Sequence, residues 1–284
     1  MHSTNPHQLL QAFALQSART RAGLVQFRHA GGLPVAQATH VLLHGIGSAS
    51  ASWVAQLHAA STTAHCSVLA WDAPGYGDST PLAPAHPTAQ DYAERLWDWL
   101  DALNVTAPIT LVGHSLGCLM AARATTLAPH RVARLILLSP ARGYGNAPAA
   151  ERTQKLADRL NNLQTLGPAG MAEKRGAAML SATASAKQVQ FIQSVMAQIH
   201  PHGYTQASHM LSQGDLGADL AQVHCPVVVA SGSADTITPM AACQAVAAQA
   251  HTAWTDLGAV GHACPLEAAD TVTALLGLSQ PNTP

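Results

Sequence analysis

Three side chains spread across 284 residues have the types and settings needed to attack a carbonyl carbon: Ser115, Asp235 and His262. Ser115 is the centre of Gly113-His114-Ser115-Leu116-Gly117, which ends the apolar run Ile109-Thr110-Leu111-Val112 and opens a helical stretch from Cys118 to Leu127. A serine between strand and helix sits on a tight turn, where flanking glycines relieve crowding and the hydroxyl is pushed outward. A hydroxyl is a weak nucleophile near neutral pH, so it needs a base within hydrogen-bond reach, itself oriented by an acid. The acid candidate is Asp235, which closes Ser231-Gly232-Ser233-Ala234-Asp235 directly after the apolar run Val227 to Ala230. The base candidate is His262, between the run Ala253 to Leu257 and a helical stretch from Cys264. Each residue also has a plainer reading: Ser115 as a turn residue, Asp235 as a helix N-cap, His262 as a packing or capping residue. The order Ser, Asp, His, with all three after strand-like runs, favours the chemical reading over three coincidences. Asp256, Asp215 and Asp219 are rival acids in poorer settings.

The elements that must position this trio are short apolar runs alternating with longer helical stretches, the pattern of an α/β fold with a mainly parallel sheet and helices on both faces. The expected strands are Leu24 to Arg28, His40 to Leu43, Ser67 to Trp71, Ile109 to Val112, Val132 to Leu138, Pro226 to Ser231 and Ala253 to Leu257. The clearest helix runs from Thr88 to Leu103: Tyr92, Leu96, Trp99, Leu100 and Leu103 recur at helical spacing, with Asp91, Glu94 and Asp98 facing away. Further helices are expected from Ser115, Pro239 and Cys264. From about Ala141 to Gln222 no convincing strand occurs, and helical segments follow one another at Ala149 to Leu166, Pro168 to Leu180, Ala186 to Ile199 and Tyr204 to Leu211. The expected organisation is a core of residues 1–140 and 223–284, with a helical lid at 141–222.

Composition excludes several classes. Nearly half of the residues are hydrophobic and a tenth are charged, with 14 basic against 15 acidic side chains, so there is no electrostatic footprint for nucleic acid. The five cysteines are scattered with no C-x-x-C pair, and the sixteen histidines form no H-E-x-x-H array, so neither disulfides, a metal nor another cofactor is expected. Met1 to Phe13 lacks the basic start and apolar core of a signal peptide, and no run approaches eighteen apolar residues. A cytoplasmic protein with no membrane partner is the expectation, acting on a small molecule, and a homodimer is among the permitted assemblies.

The chain order and strand-end placement of Ser115, Asp235 and His262, together with His44-Gly45-Ile46-Gly47 and the run Asp72-Ala73-Pro74-Gly75-Tyr76-Gly77-Asp78-Ser79, resemble the α/β-hydrolase superfamily over almost the whole chain. The resemblance implies the α/β-hydrolase fold with a helical cap inserted after strand 6. It also implies an oxyanion hole built from the backbone N–H groups of Leu116 and Ile46. The implied activity is hydrolysis of an ester or related acyl bond. A serine nucleophile argues against the dehalogenase and epoxide-hydrolase branches. Carbon–carbon bond hydrolases of aromatic breakdown usually carry Asn before the nucleophile and Trp after the histidine, positions held here by His114 and Ala263; enol-lactone opening stays open beside them. A ligand receptor and an acyltransferase are the alternatives from other classes.

Two further residues bear on substrate. Arg142, just after Val132 to Leu138, reads either as a clamp for a substrate carboxylate or as a surface salt bridge. His44 reads as loop support and is also carried as a substrate contact. His114 and Cys118 read as structural, and Met171, Met179, Met196 and Met210 as pocket lining or plain core.

Overall fold

Runs of three to eight residues, bounded by glycine, proline and polar clusters, form eight strands in the computed structural model, which describes residues 5–278. In chain order the elements are α1 (Pro6–Leu10), β1 (Gln16–Thr20), β2 (Gly23–Ala30), β3 (His40–Leu43), α2 (Val54–Ser61), β4 (Val68–Trp71), α3 (Ala89–Ala102), β5 (Ile109–His114), α4 (Gly117–Leu127) and β6 (Val132–Leu138). They continue with α5 (Ala149–Arg175), α6 (Ala186–Met196), α7 (Pro201–Gln213), α8 (Leu216–Leu220), β7 (Val227–Ser231), α9 (Met240–Gln249), β8 (Trp254–Asp256), α10 (Cys264–Glu267) and α11 (Ala269–Leu276). The strands form one sheet in the order β1-β2-β4-β3-β5-β6-β7-β8. β2 pairs antiparallel with β1 and β4, and every other pairing is parallel.

Parallel strands covered by helices on both faces lack polar alternation. β4 is buried at all four of its positions and β3 at three of its four. One cluster spreads from Trp71, Trp99, Tyr92 and Phe27 to Leu119 and Leu137, and the opposite face of the sheet packs Leu42, Val112 and Ile136 against Trp53, Leu57 and Val272. At about 25 cal/mol per Å² of apolar area, this burial is the main favourable contribution to folding.

β1 lies outside the expected series. Gln-Ser-Ala-Arg-Thr contains no apolar run, and the strand survives because it pairs along its whole length with β2 at the sheet edge. α3 starts at Thr88, whose N–H donates to Asp91 Oδ2 at 2.7 Å. Asp98 on this helix does not simply face solvent; it pairs with Arg21 at 2.8 Å. The two helical segments expected at Ala149 to Leu166 and Pro168 to Leu180 are both present within α5, separated at Gly167, which takes the non-helical φ 60° and ψ 177° ahead of Pro168; the second ends earlier than expected, at Arg175. α1, α2 and α8 were not anticipated, being short or weakly amphipathic. The helices α5–α8 make up an insertion after β6. The reading of Met1 to Phe13 falls partly on residues 1–4, outside the described residues. Among the described residues no helix is long and apolar enough to cross a membrane.

Parallel pairing brings the carboxyl ends of β3, β5, β6, β7 and β8 to one edge, where ligands bind in open α/β sheets. The β5–α4 turn at that edge is crowded. A Cβ on Gly117 would lie 2.3 Å from the Leu43 carbonyl oxygen, and one on Gly113 2.5 Å from that of Gly117. Both obstacles are backbone and cannot rotate away. Gly117→Ala is expected to lower stability by about 1–3 kcal/mol, measured by urea unfolding.

Candidate active site

Ser115 follows β5 and enters α4 with φ 53°, a left-handed conformation that costs a non-glycine residue about 1–2 kcal/mol. The turn is tied on both sides: Ser115 N–H donates to the Leu138 carbonyl at 2.9 Å, and the Ser115 carbonyl accepts from Cys118 N–H at 3.1 Å and Ala141 N–H at 3.2 Å. The α4 amino terminus lies immediately beyond, so its partial positive charge acts on the serine's surroundings.

His262 follows β8 and is almost fully buried. Its Nδ1 lies 2.9 Å from Asp235 Oδ2. A carboxylate only accepts, so Nδ1–H donates. Asp235, in the loop after β7, also receives N–H bonds from Ile237 and Thr238 at 2.8 and 2.9 Å and the Thr238 hydroxyl at 2.8 Å. Burial pushes its carboxyl up, but the bonds from His262 and Thr238 and the imidazole's charge outweigh it and hold the group well below the ordinary carboxylate range. Asp235 therefore remains an anion behind the imidazole. The N-cap reading of Asp235 is partly realised in the same bonds, which close a turn ahead of α9.

Ser115 and His262 line one cavity of about 500 Å³ between the sheet edge and the insertion. Ile46, Arg142, Met171, Met179 and Met196 line it too, whereas the fully buried Met210 belongs to the core. Among the described residues, neither the Leu116 nor the Ile46 N–H has a hydrogen-bond acceptor. The loop bearing Ile46 is braced from the 72–79 run: Tyr76 hydroxyl donates to the Ile46 carbonyl at 2.8 Å, and Ser50 N–H to Asp72 Oδ1 at 2.7 Å. Burial pushes the Tyr76 phenol well above its ordinary value of 10 and keeps it a donor. The 72–79 run thus has a supporting task, invisible to sequence because it works through bonds between side chains and backbone.

His44 is corrected as a substrate contact. Its Nδ1 donates to the Gly45 carbonyl at 2.8 Å and its Nε2 accepts from Ala73 N–H at 3.0 Å, so both nitrogens serve the loop. Burial lowers its pKa, in keeping with a neutral ring. His114 Nε2 donates to the His262 carbonyl at 2.8 Å, and burial together with the neighbouring His262 pushes its pKa down to about 3. Cys118 is buried, donating to the Gly113 carbonyl. The rival acids are engaged elsewhere: Asp256 closes a local turn onto Gly258 N–H, Asp215 caps α8, and Asp219 pairs with Arg123 at 2.6 Å.

Arg142 is exposed and lines the cavity. Among the described residues no carboxylate lies within ion-pairing distance of it, so the salt-bridge reading is not what the structure holds. Arg159 and Arg175, on the two arms of α5, line the cavity as well. Neither stood out in the sequence, where they are two among many charged helix positions. Thr238 was also missed, although a hydroxyl three residues after an acid is a recognisable turn signal.

With this geometry in hand, relationship can be judged. The profile of the Alpha/beta hydrolase family matches residues 41–275, spanning the sheet from β3 onward, the insertion and all three trio residues. The chain belongs to the alpha/beta hydrolase family. It is 28% identical over 197 residues to the (E)-2-((N-methylformamido)methylene)succinate hydrolase of Acinetobacter baylyi, covering 69% of this chain and 72% of that protein. Among solved structures it is similar in fold to a thermophilic esterase from Thermogutta terrifontis, with a TM-score of 0.79, 22% identity, and 93% and 97% of the two chains covered. It is likewise similar to the enol-lactonase from Burkholderia xenovorans, with a TM-score of 0.78, 21% identity, and 92% and 98% coverage.

The left-handed backbone at Ser115 makes a stability prediction. Ser115→Gly is expected to be more stable than Ser115→Ala by about 1 kcal/mol, read from paired denaturation curves; equal stabilities would remove the strain from the account.

Proposed function

We propose that the protein is a serine hydrolase cleaving a carboxylic ester or related acyl bond of a small molecule. The insertion at 141–222 serves as its cap. Ser115 Oγ attacks the carbonyl carbon as His262 Nε2 takes its proton, and Asp235 stabilises the imidazolium. The Leu116 and Ile46 amides receive the negative charge on the carbonyl oxygen; one such donor is worth about 3–4 kcal/mol of barrier. The imidazolium returns its proton to the leaving alcohol, and water repeats the sequence to release the acid and regenerate Ser115. The single observation that carries this reading is the 2.9 Å bond from His262 Nδ1 to the buried Asp235, with the imidazole lining the same cavity as Ser115, whose backbone is strained.

Arg142 extends the reading to substrates bearing a carboxylate. Its guanidinium has no ion pair among the described residues, it borders the cavity, and it follows the strand beside the nucleophile's own. Arg159 and Arg175 add positive charge to the same walls. A relative named as the hydrolase of a succinate derivative accords with this preference.

A fluorophosphonate probe tests the nucleophile. Wild-type protein is expected to be labelled and Ser115→Ala not, while an unlabelled wild type favours a ligand receptor. Asp235→Asn is expected to lower kcat by about 10⁴-fold, because the amide permits the wrong imidazole tautomer. Against p-nitrophenyl esters and half-esters of dicarboxylic acids, Arg142→Ala is expected to cut kcat/KM for half-esters by about 10- to 100-fold, the worth of a charged hydrogen bond, and to spare neutral esters. Equal losses for both would remove the clamp.

A further inference from the structure

Glu267, the last residue of α10, is a half-buried carboxylate with no part in the proton transfers above. Among the described residues, every hydrogen bond its carboxylate accepts comes from one of two places. Oε2 accepts the Gly261 N–H at 2.9 Å and the Ser181 N–H at 3.0 Å, and Oε1 accepts the Ser181 N–H at 3.2 Å and the Ser181 hydroxyl. Gly261 precedes His262. Ser181 belongs to the link between α5 and α6 within the insertion. One carboxylate therefore bridges the histidine loop and the insertion.

The contact continues on the other side of the imidazole. Ala263 N–H donates to the Met179 carbonyl at 2.7 Å, so the amides flanking His262 on both sides are held, directly or through Glu267, by residues 179–181. The packing leaves no slack: a Cβ on Gly261 would lie 2.5 Å from the Leu180 carbonyl carbon and 2.7 Å from the Ser181 nitrogen. Met179, in the same segment, lines the cavity and touches whatever fills it.

The three groups that meet Glu267 are all donors. A carboxylate accepts from all of them at once, and a single oxygen, Oε2, already receives both backbone N–H groups. We propose that Glu267 is a positioning residue that locks the His262 loop to the insertion, so that the imidazole keeps its register on Ser115 and the two segments move as one body. This rests on the serine-nucleophile reading, because register matters only if His262 serves Ser115.

The test compares Glu267→Ala, Glu267→Asp and Glu267→Gln by the second-order rate of fluorophosphonate labelling, with kcat and KM on a p-nitrophenyl ester and circular dichroism to establish folding. Loss of register predicts that labelling and kcat fall by about 10- to 100-fold in Glu267→Ala while KM changes little, the size of effect a misplacement near 1 Å produces. Asp keeps the charge but lacks the reach to Gly261 and Ser181 together, so it is expected to resemble Ala. Gln keeps the reach: its oxygen still accepts from Gly261 and its amide donates to a rotated Ser181 hydroxyl, so it recovers most of the loss. If the Ala variant does not fold, the order of Asp below Gln carries the test. Labelling at the wild-type rate in the folded variants overturns the proposal, as does Asp above Gln, which would mean that charge and not reach matters. A wild type that takes up no probe overturns the nucleophile assignment, and the positioning role with it, a result distinct from labelled wild type with unaffected variants.

Discussion

The bond between His262 Nδ1 and Asp235 Oδ2 is the interaction on which the site depends. Both partners are almost fully out of solvent, where an isolated carboxylate is costly to bury. Asp235 tolerates the position because four donors converge on it: the imidazole, two backbone amides and the Thr238 hydroxyl. The same bond makes Nδ1 the donating nitrogen of the imidazole. Neither residue could be held so by its own loop alone. Adjacent parallel strands, β7 and β8, deliver them from one sheet edge, and β5, two strands away from β7, delivers Ser115.

Around this bond the structure stores order in advance of any ligand. The Ser115 backbone is held left-handed by ties to Leu138, Cys118 and Ala141, and the loop bearing Ile46 is braced by Tyr76, Asp72 and His44. On the proposed reading these are the costs of preorganisation, met by a tightly packed sheet, and the benefit is a pair of amides with no competing acceptor. The insertion is part of the same design. It walls the cavity, and through Met179 to Ser181 it holds the histidine loop from outside, so that on the proposed reading the element facing the substrate also steadies the base.

Much of this was legible in the sequence, for a physical reason. β3 to β7 are largely apolar runs punctuated by glycine and proline, and β3 and β6 fall where the runs begin and end, since burial on both faces leaves no polar alternation to blur them. The trio was legible because Ser115 directly follows such a run, Asp235 comes a few residues after another, and His262 a few residues after the short β8. β1 was not, because an edge strand of Gln, Ser, Arg and Thr owes its state to pairing with β2. The break inside α5 was legible too, because Gly167-Pro168 is a strong breaker and Gly167 leaves the helical conformation there. Thr238, Tyr76 and Glu267 were missed, since a side chain's backbone partners many residues away leave no periodic mark. His44 was read in two ways, and only coordinates could show both of its nitrogens spoken for.

The protonation state of the His262 ring in the resting protein tests the central claim most directly. ¹⁵N NMR of histidine-labelled protein, with His262 assigned by its loss in His262→Gln, distinguishes a protonated from an unprotonated ring nitrogen above neutral pH. The account predicts a proton on Nδ1, hydrogen-bonded and slow to exchange, with Nε2 bare, and reversal or mixing of the two in Asp235→Asn. A wild-type ring carrying its proton on Nε2, or one indifferent to the loss of Asp235, would contradict it.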